Sequence, residues 1–190
     1  MMFPELYILR HGETYWNAEN RMQGGLNSTL TANGLAQAAR QATLLGAQDL
    51  TGFSACCSPQ GRAVQTAGIA VAPHIAMIRT DDRLREIGVG RWQGRLRSEL
   101  QADMGMTDGP DGPVALYEMA PEGEGFARLE SRCRSFLADL RSPAVLVTHG
   151  ITSRMLRCIV LGLDRPGLDQ LPGGQGVIFH LKEGVQRQIG

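Results

Sequence analysis

Two histidines and two arginines in this chain stand where an apolar run breaks into a polar turn. Leu6-Tyr7-Ile8-Leu9 runs into Arg10-His11-Gly12, and residues 53–57 run into Ser58-Pro59 with Arg62 just beyond. Ala144-Val145-Leu146-Val147 runs into Thr148-His149-Gly150. Gathered at one place, these groups form a pocket for a dianion. Arginine grips phosphate through two parallel hydrogen bonds and keeps its charge. An imidazole beside two guanidinium groups is pushed towards its neutral form, because like charge disfavours protonation. A neutral imidazole has a lone pair and can attack phosphorus. The second imidazole can hold the transferring oxygens, as the arginines do. A departing alcohol still needs a proton, and a carboxyl group next to bound phosphate can supply one near neutral pH. Asp81, Asp82 and Glu86 are the candidates, and spacing does not choose between them. Taken singly, His11 reads as a surface or capping residue, Arg62 as a solvated helix residue and His149 as a satisfied core histidine. Only their convergence gives them chemistry.

The elements that must bring them together follow from the apolar pattern. Short apolar runs alternate with helical spacing along the chain. Strands are expected at residues 6–9, 53–57, 75–78 and 144–147, and a closing hairpin at 177–181 and 185–189 around Lys182-Glu183-Gly184. Helices are expected at residues 31–45, with Thr31 as its cap, at 61–71, and at 152–161. Phe126, Leu129, Cys133, Phe136 and Leu140 mark another by their spacing. Strand and helix in alternation predict an α/β three-layer sandwich, a mostly parallel central sheet with helices on both faces. Ligands of such sheets bind beyond the carboxyl ends of the strands, which is where the histidines and arginines fall. Residues 101–125 break the rhythm with turn formers such as Gly109-Pro110 and Gly112-Pro113. They read as an excursion from one domain spanning 1–190, a lid-like insertion at about 99–125 over the strand ends.

Composition bounds the partners. Nineteen basic and nineteen acidic residues cancel, which argues against a nucleic-acid binder or a membrane-surface protein, since both rely on a basic excess. No apolar run approaches 18 residues and no leader pattern opens the chain, so a cytoplasmic protein is expected. Cys56, Cys57, Cys133 and Cys158 form no C-x-x-C pair and sit in apolar stretches, which predicts reduced, buried thiols. The composition leaves the oligomeric state open.

The motifs then resemble a known family. Leu9-Arg10-His11-Gly12-Glu13-Thr14 with Trp16-Asn17 looks like the signature of the histidine phosphatase superfamily, also called phosphoglycerate mutase-like. Four further blocks follow in the family's order: residues 27–38, Ser58-Pro59 to Ala67, Leu84-Arg85-Glu86-Ile87-Gly88 with Trp92-Gln93-Gly94, and Val147-Thr148-His149-Gly150. R-H-G alone is a weak signal, whereas five ordered blocks are a strong one. The resemblance implies that His11 is phosphorylated, that Arg10, Arg62 and His149 hold the phosphoryl group, and that Glu86 is the proton donor. It implies phosphate contact from Asn17, and a substrate pocket lined by Gln23 and Gly24 beside Gly150. It implies a small phosphorylated metabolite as substrate, with no metal and no organic cofactor. His74 and His180 match nothing and read as structural or exposed, while Trp16 and Trp92 are candidates for the pocket wall or for packing.

This chain departs from the pattern at three places. Gln60-Gly61 stands where an apolar residue is expected before Arg62, which predicts a looser start to that helix. Gly125 replaces the serine of a Gly-Glu-Ser segment, and Pro172-Gly173-Gly174-Gln175-Gly176 lacks an asparagine. Within the resemblance, mutases carry a basic insertion after the proton donor. Here the insertion has Asp103, Asp108, Asp111, Glu118, Glu122 and Glu124, and no lysine or arginine between Arg97 and Arg128. A site for bisphosphoglycerate needs extra positive charge. Phosphomonoester hydrolysis is therefore expected ahead of cofactor-dependent mutase action, and both ahead of a non-catalytic phospho-ligand binder.

Overall fold

A computed structural model describes residues 3–105, 114–165 and 167–190. In chain order the elements are β1 (Leu6–Arg10), α1 (Tyr15–Ala18), α2 (Ala32–Gly46), β2 (Ser54–Cys57), α3 (Gly61–Ala70) and β3 (Ile78–Thr80). They continue with α4 (Arg97–Met104), α5 (Ala115–Glu118), α6 (Gly125–Asp139), β4 (Ala144–Thr148), α7 (Gly150–Val160), α8 (Gly167–Gln170), β5 (Ile178–Lys182) and β6 (Val185–Ile189). The strands form one six-stranded sheet in the order β3-β2-β4-β1-β5-β6. The first four positions are parallel; β5 and β6 run antiparallel as the expected hairpin.

Alternation along the central strands explains the two helical layers. Leu6 and Ile8 of β1, with Ala144 and Leu146 of β4, join Leu129, Cys133 and Phe136 of α6 and Met155, Leu156 and Ile159 of α7 in one core. Tyr7 and Leu9, with Val145 and Val147, join Leu45 of α2 and Ala63, Ala67 and Ala70 of α3 in the other. A period of two on a strand sends neighbours to opposite faces, so β1 and β4 must be apolar throughout. The three-layer arrangement is as the sequence predicted.

Boundaries differ where tertiary contacts decide them. The third strand lies at Ile78–Thr80 and not at 75–78, because the turn after α3 continues through hydrogen bonds from His74 and Ile75 to Val71 O. Its register, Ala55 opposite Ile78, makes it a short edge strand. Helix α7 begins at Gly150, two residues before the expected start, for a reason found in the site. Helix α3 starts at Gly61, and Gln60 before it is held, so the expected looseness is absent. Gly125 lies at φ +70°, a backbone region that disfavours serine, which accounts for the glycine in that segment. The central part of the expected insertion, residues 106–113, lies outside the described residues. Trp92 is buried in the core beside α6, and Trp16 packs near Gly94; neither lines the cleft at the carboxyl ends of the strands. The four cysteines are free thiols, three buried and Cys56 part-exposed, with burial pushing Cys56 up to about 11 and Cys133 up to about 12. Among the described residues, no helix is long and apolar enough to cross a membrane.

Candidate active site

The carboxyl ends of three adjacent parallel strands build the site. Register pairs Arg10 of β1 with Thr148 of β4, and Cys57 of β2 with Val147, so His11, His149 and Ser58 leave the sheet at one level. His11 N donates to Thr148 O at 3.0 Å and Ser58 N to Val147 O at 2.9 Å, carrying the sheet's pairing one residue past each strand. Gly12 has to be glycine: a Cβ there lies 2.2 Å from Gly34 O, where the first turn of α2 presses on the loop. The cleft above these ends, open to solvent, is lined by Arg10, His11, Asn17, Gln23, Gly24, Arg62, Glu86 and Gly150 among others.

His11 is buried, and its two ring nitrogens have different partners. Nδ1 lies 2.7 Å from Gly12 O, an acceptor, so Nδ1 carries the proton. Nε2 therefore holds the lone pair, and it accepts from Arg62 Nε at 3.2 Å. The His149 ring stands edge-on to it with centroids 5.0 Å apart, and His149 Nε2 lies 2.7 Å from Ser58 Oγ. Burial first, then the charge of Arg62, holds both imidazoles well below the usual histidine range. Arg10 adds to this, and His149 also feels His11. The sequence argument rested on charge alone, whereas burial is the larger cause. Arg62 is itself pushed down to about 10 by burial, partly offset by Glu86, and stays charged at neutral pH.

Of the three candidate acids, Glu86 alone lines the cleft. Asp81 is bound to Arg83 through 2.7 and 3.0 Å hydrogen bonds, and Asp82 is exposed beside Arg85. The Glu86 carboxylate accepts from Ile151 N at 3.2 Å, Thr152 N at 3.1 Å and Thr152 Oγ1 at 3.1 Å. It thus caps α7 from a distant segment. His149, at the N-cap, makes no side-chain cap of its own. This is why α7 starts at Gly150 with no capping signal in its own sequence. A Cβ on Gly150 would sit 3.4 Å from Arg10 Cζ, so glycine there leaves room for the guanidinium.

Asn17 Oδ1 accepts from Thr14 N at 3.2 Å, closing a capping box on α1. Gln23 donates to Thr14 Oγ1, and Gly24 O accepts Arg62 Nη2 at 3.1 Å. His11, Arg10, Arg62, His149, Glu86, Asn17, Gln23, Gly24 and Gly150 are thus brought to this one edge, whereas Asp81, Asp82, Trp16 and Trp92 are not. The sequence reading missed Ser58 as the partner of His149, Thr152 as a ligand of Glu86, and two glutamines. Gln175 Nε2 reaches His11 O at 3.2 Å and Asn17 Oδ1 at 3.3 Å from the segment that lacks the expected asparagine. Gln60, the other departure, bonds Gly24 and Glu86. The mismatches with the family pattern were themselves the available signal.

Arg21, Arg97, Tyr117 and Arg154 line the outer wall. Arg97 Nη2 donates to Tyr117 Oη at 2.6 Å, so Tyr117 of the 99–125 segment and Arg97, just before that segment, meet at the cleft. Positive charge missing from the insertion is supplied here by other elements.

The sequence matches the pattern of the histidine phosphatase superfamily (branch 1) over residues 6–186. A Serratia proteamaculans protein named "Probable phosphoglycerate mutase GpmB" is 36% identical over 170 residues, covering 84% of this chain and 75% of its own length. Among solved structures, the mycobacterial glucosyl-3-phosphoglycerate phosphatase Rv2419c, in complex with VO3, is 30% identical with a TM-score of 0.77. That alignment covers 97% of this chain and 96% of the other. The alpha-ribazole phosphatase from Shigella flexneri shares the fold, with a TM-score of 0.79 at 23% identity over 97% of this chain and 95% of its own. The match along nearly the whole sequence makes this chain a member of the histidine phosphatase superfamily.

Proposed function

We propose that this protein is a phosphomonoesterase acting on small phosphorylated metabolites through a phosphohistidine on His11. The observation that carries the reading is the Nε2 lone pair of His11, kept neutral by burial and Arg62 and set in its tautomer by Gly12 O. In the first step Arg10, Arg62, His149 and Asn17 hold the phosphoryl oxygens, and Nε2 attacks phosphorus. The P–O bond to the leaving alcohol breaks as protonated Glu86 gives its proton to that oxygen. In the second step water attacks the P–N bond's phosphorus, Glu86 takes a proton from the water, and phosphate leaves with His11 restored. No metal or organic cofactor takes part in these steps. Tyr117 of the 99–125 segment, with Arg97 just before it, acts as a partial cover.

A second reading, mutase action, is favoured by one observation. Arg21, Arg97 and Arg154 line the wall beyond the phosphoryl site, where a second acidic group of a substrate can be bound. The curated relatives bear the mutase name, while structural neighbours such as the Rv2419c enzyme are named phosphatases. Turnover of p-nitrophenyl phosphate and of a panel of phosphorylated metabolites tests the proposal. Steady release of inorganic phosphate supports hydrolysis. Interconversion of 3- and 2-phosphoglycerate that depends on added 2,3-bisphosphoglycerate would replace it with the mutase, and binding with no turnover would replace both.

A further inference from the structure

We infer that Gln60 is a positioning residue for Glu86, an inference that rests on the reading of Glu86 as the proton donor. Gln60 occupies the N-cap of α3, with extended backbone at φ −70°, ψ 133°, where a polar side chain ordinarily turns back to cap its own helix. This one makes no such cap. Its amide spans two distant segments instead: Nε2 donates to Gly24 O at 2.8 Å, and Oε1 accepts from Glu86 N at 2.8 Å. The residue is buried, so both halves of the amide are satisfied inside the protein and neither bond competes with water. One side chain thereby links the Gln23-Gly24 loop, the strand-to-helix turn that carries Arg62, and the segment that carries Glu86.

The link matters because of how Glu86 is otherwise held. Its carboxylate is bound to Ile151 N, Thr152 N and Thr152 Oγ1 at the start of α7, and to Ile87 N. A carboxyl group that gives a proton to a leaving oxygen must release some of these bonds to reach it. The bond from Glu86 N to Gln60 is on the main chain, so it persists while the carboxyl group moves. It fixes the pivot of the acid. An apolar side chain at this position offers the Glu86 N–H no acceptor and the Gly24 carbonyl no donor. A buried donor left without a partner costs free energy, and the segment relaxes to recover it. Displacements of about 1 Å at a catalytic group can cost on the order of 10²-fold in rate.

The test compares substrates that differ in their need for the acid. Gln60→Met keeps the length of the side chain and removes both bonds; Gln60→Leu, a shorter apolar side chain, also removes both, should the methionine variant fold poorly. On an alkyl phosphate, kcat should fall about 10-fold, and on p-nitrophenyl phosphate by no more than about 2-fold, since p-nitrophenolate departs with little help. In a Glu86→Gln background the same substitution should cost the alkyl phosphate nothing further, because the group it positions is already gone. Equal losses on both substrates, no loss on either, or a full additional loss in the Glu86→Gln background would overturn the inference. The reading beneath it fails separately: Glu86→Gln on its own would then affect the two substrates alike.

Discussion

Just before the amino end of β1, Glu5 accepts from His180 Nε2 at 2.6 Å and Lys182 Nζ at 3.0 Å, while at the carboxyl end His11 and His149 lie among Arg10 and Arg62. The same strand therefore carries two ionic clusters. In the first, opposite charges meet: burial pulls the Glu5 carboxyl up, but hydrogen bonds from His180 and Lys182 outweigh it and hold it below the usual range. The His180 ring also stacks on Tyr7, centroids 4.5 Å apart. In the second, among the described residues, five arginines and one glutamate line the cleft. The glutamate is engaged at the start of α7, and Arg21 pairs with Glu19 at 2.6 Å. Opposite charges in contact serve the fold, whereas like charge gathered around neutral imidazoles is what the proposed phosphoryl chemistry calls for.

The comparison breaks most visibly at His11. His11→Ala should lower turnover on the order of 10⁴-fold or more with the fold intact, because no other group can take the phosphoryl. Circular dichroism and steady-state kinetics together check this, and retention of a tenth of the activity would contradict it. Next in size, Arg62→Ala should cost about 10³-fold on both alkyl and p-nitrophenyl phosphates, since its charge acts on the phosphoryl group common to them. Glu86→Gln should cost about 10²- to 10⁴-fold on the alkyl phosphate and much less on the aryl one. A ratio of the two substrates' rates that is the same in both variants would merge roles that the geometry separates.

A smaller effect is expected in stability against pH. The native pKa values of His11 and His149 lie well below the ordinary value of about 6.5 that the unfolded chain shows. Above that pH both states are neutral and the full stability is present. As pH falls below it, the unfolded chain takes up protons that the folded protein refuses, so stability is lost. The slope is up to about 1.4 kcal/mol per pH unit for each histidine until its folded pKa is reached. Urea denaturation at pH 7 and pH 5.5 should therefore show His149→Asn losing less on acidification than the wild type. Equal slopes would mean that His149 takes up its proton in the folded state as readily as in the unfolded chain. At the other end of the strand, Glu5→Gln should leave turnover unchanged and cost at most about 1 kcal/mol, the range of part-exposed ion pairs. A large loss of activity there would erase the contrast between the two clusters.

Much of this was legible in the sequence. The fully apolar runs at β1 and β4 marked central parallel strands, and the residues after them marked the site. Thr31 capped α2 as its type and position suggested. What was hidden depended on contacts between segments far apart in sequence. The start of α7 is set by Glu86, more than sixty residues upstream, and no local pattern announces a cap supplied in trans. Spacing alone did not choose among the three carboxyl groups; the resemblance pointed to Glu86, and the fold turns Asp81 towards Arg83 and leaves Asp82 in solvent. Gln60 and Gln175 looked like defects in a pattern, yet Gln60 donates to Gly24 O and accepts from Glu86 N, and Gln175 donates to His11 O and Asn17 Oδ1, at distances of 2.8–3.3 Å. An amide's two-sided hydrogen bonding cannot be assigned until both partners are in place. The insertion has no lysine or arginine between Arg97 and Arg128, and the positive charge of the outer wall comes from Arg21, Arg97 and Arg154, which only the fold brings together.

The most direct test of the central claim is to trap the covalent intermediate. The protein is mixed with a ³²P-labelled phosphomonoester, quenched within the first turnovers, and digested for peptide mapping. The account predicts a phosphoryl group that is lost in acid, survives in base and maps to His11, and that is absent from His11→Ala. Label on a serine or on His149, or turnover at full rate with no label at all, would contradict it.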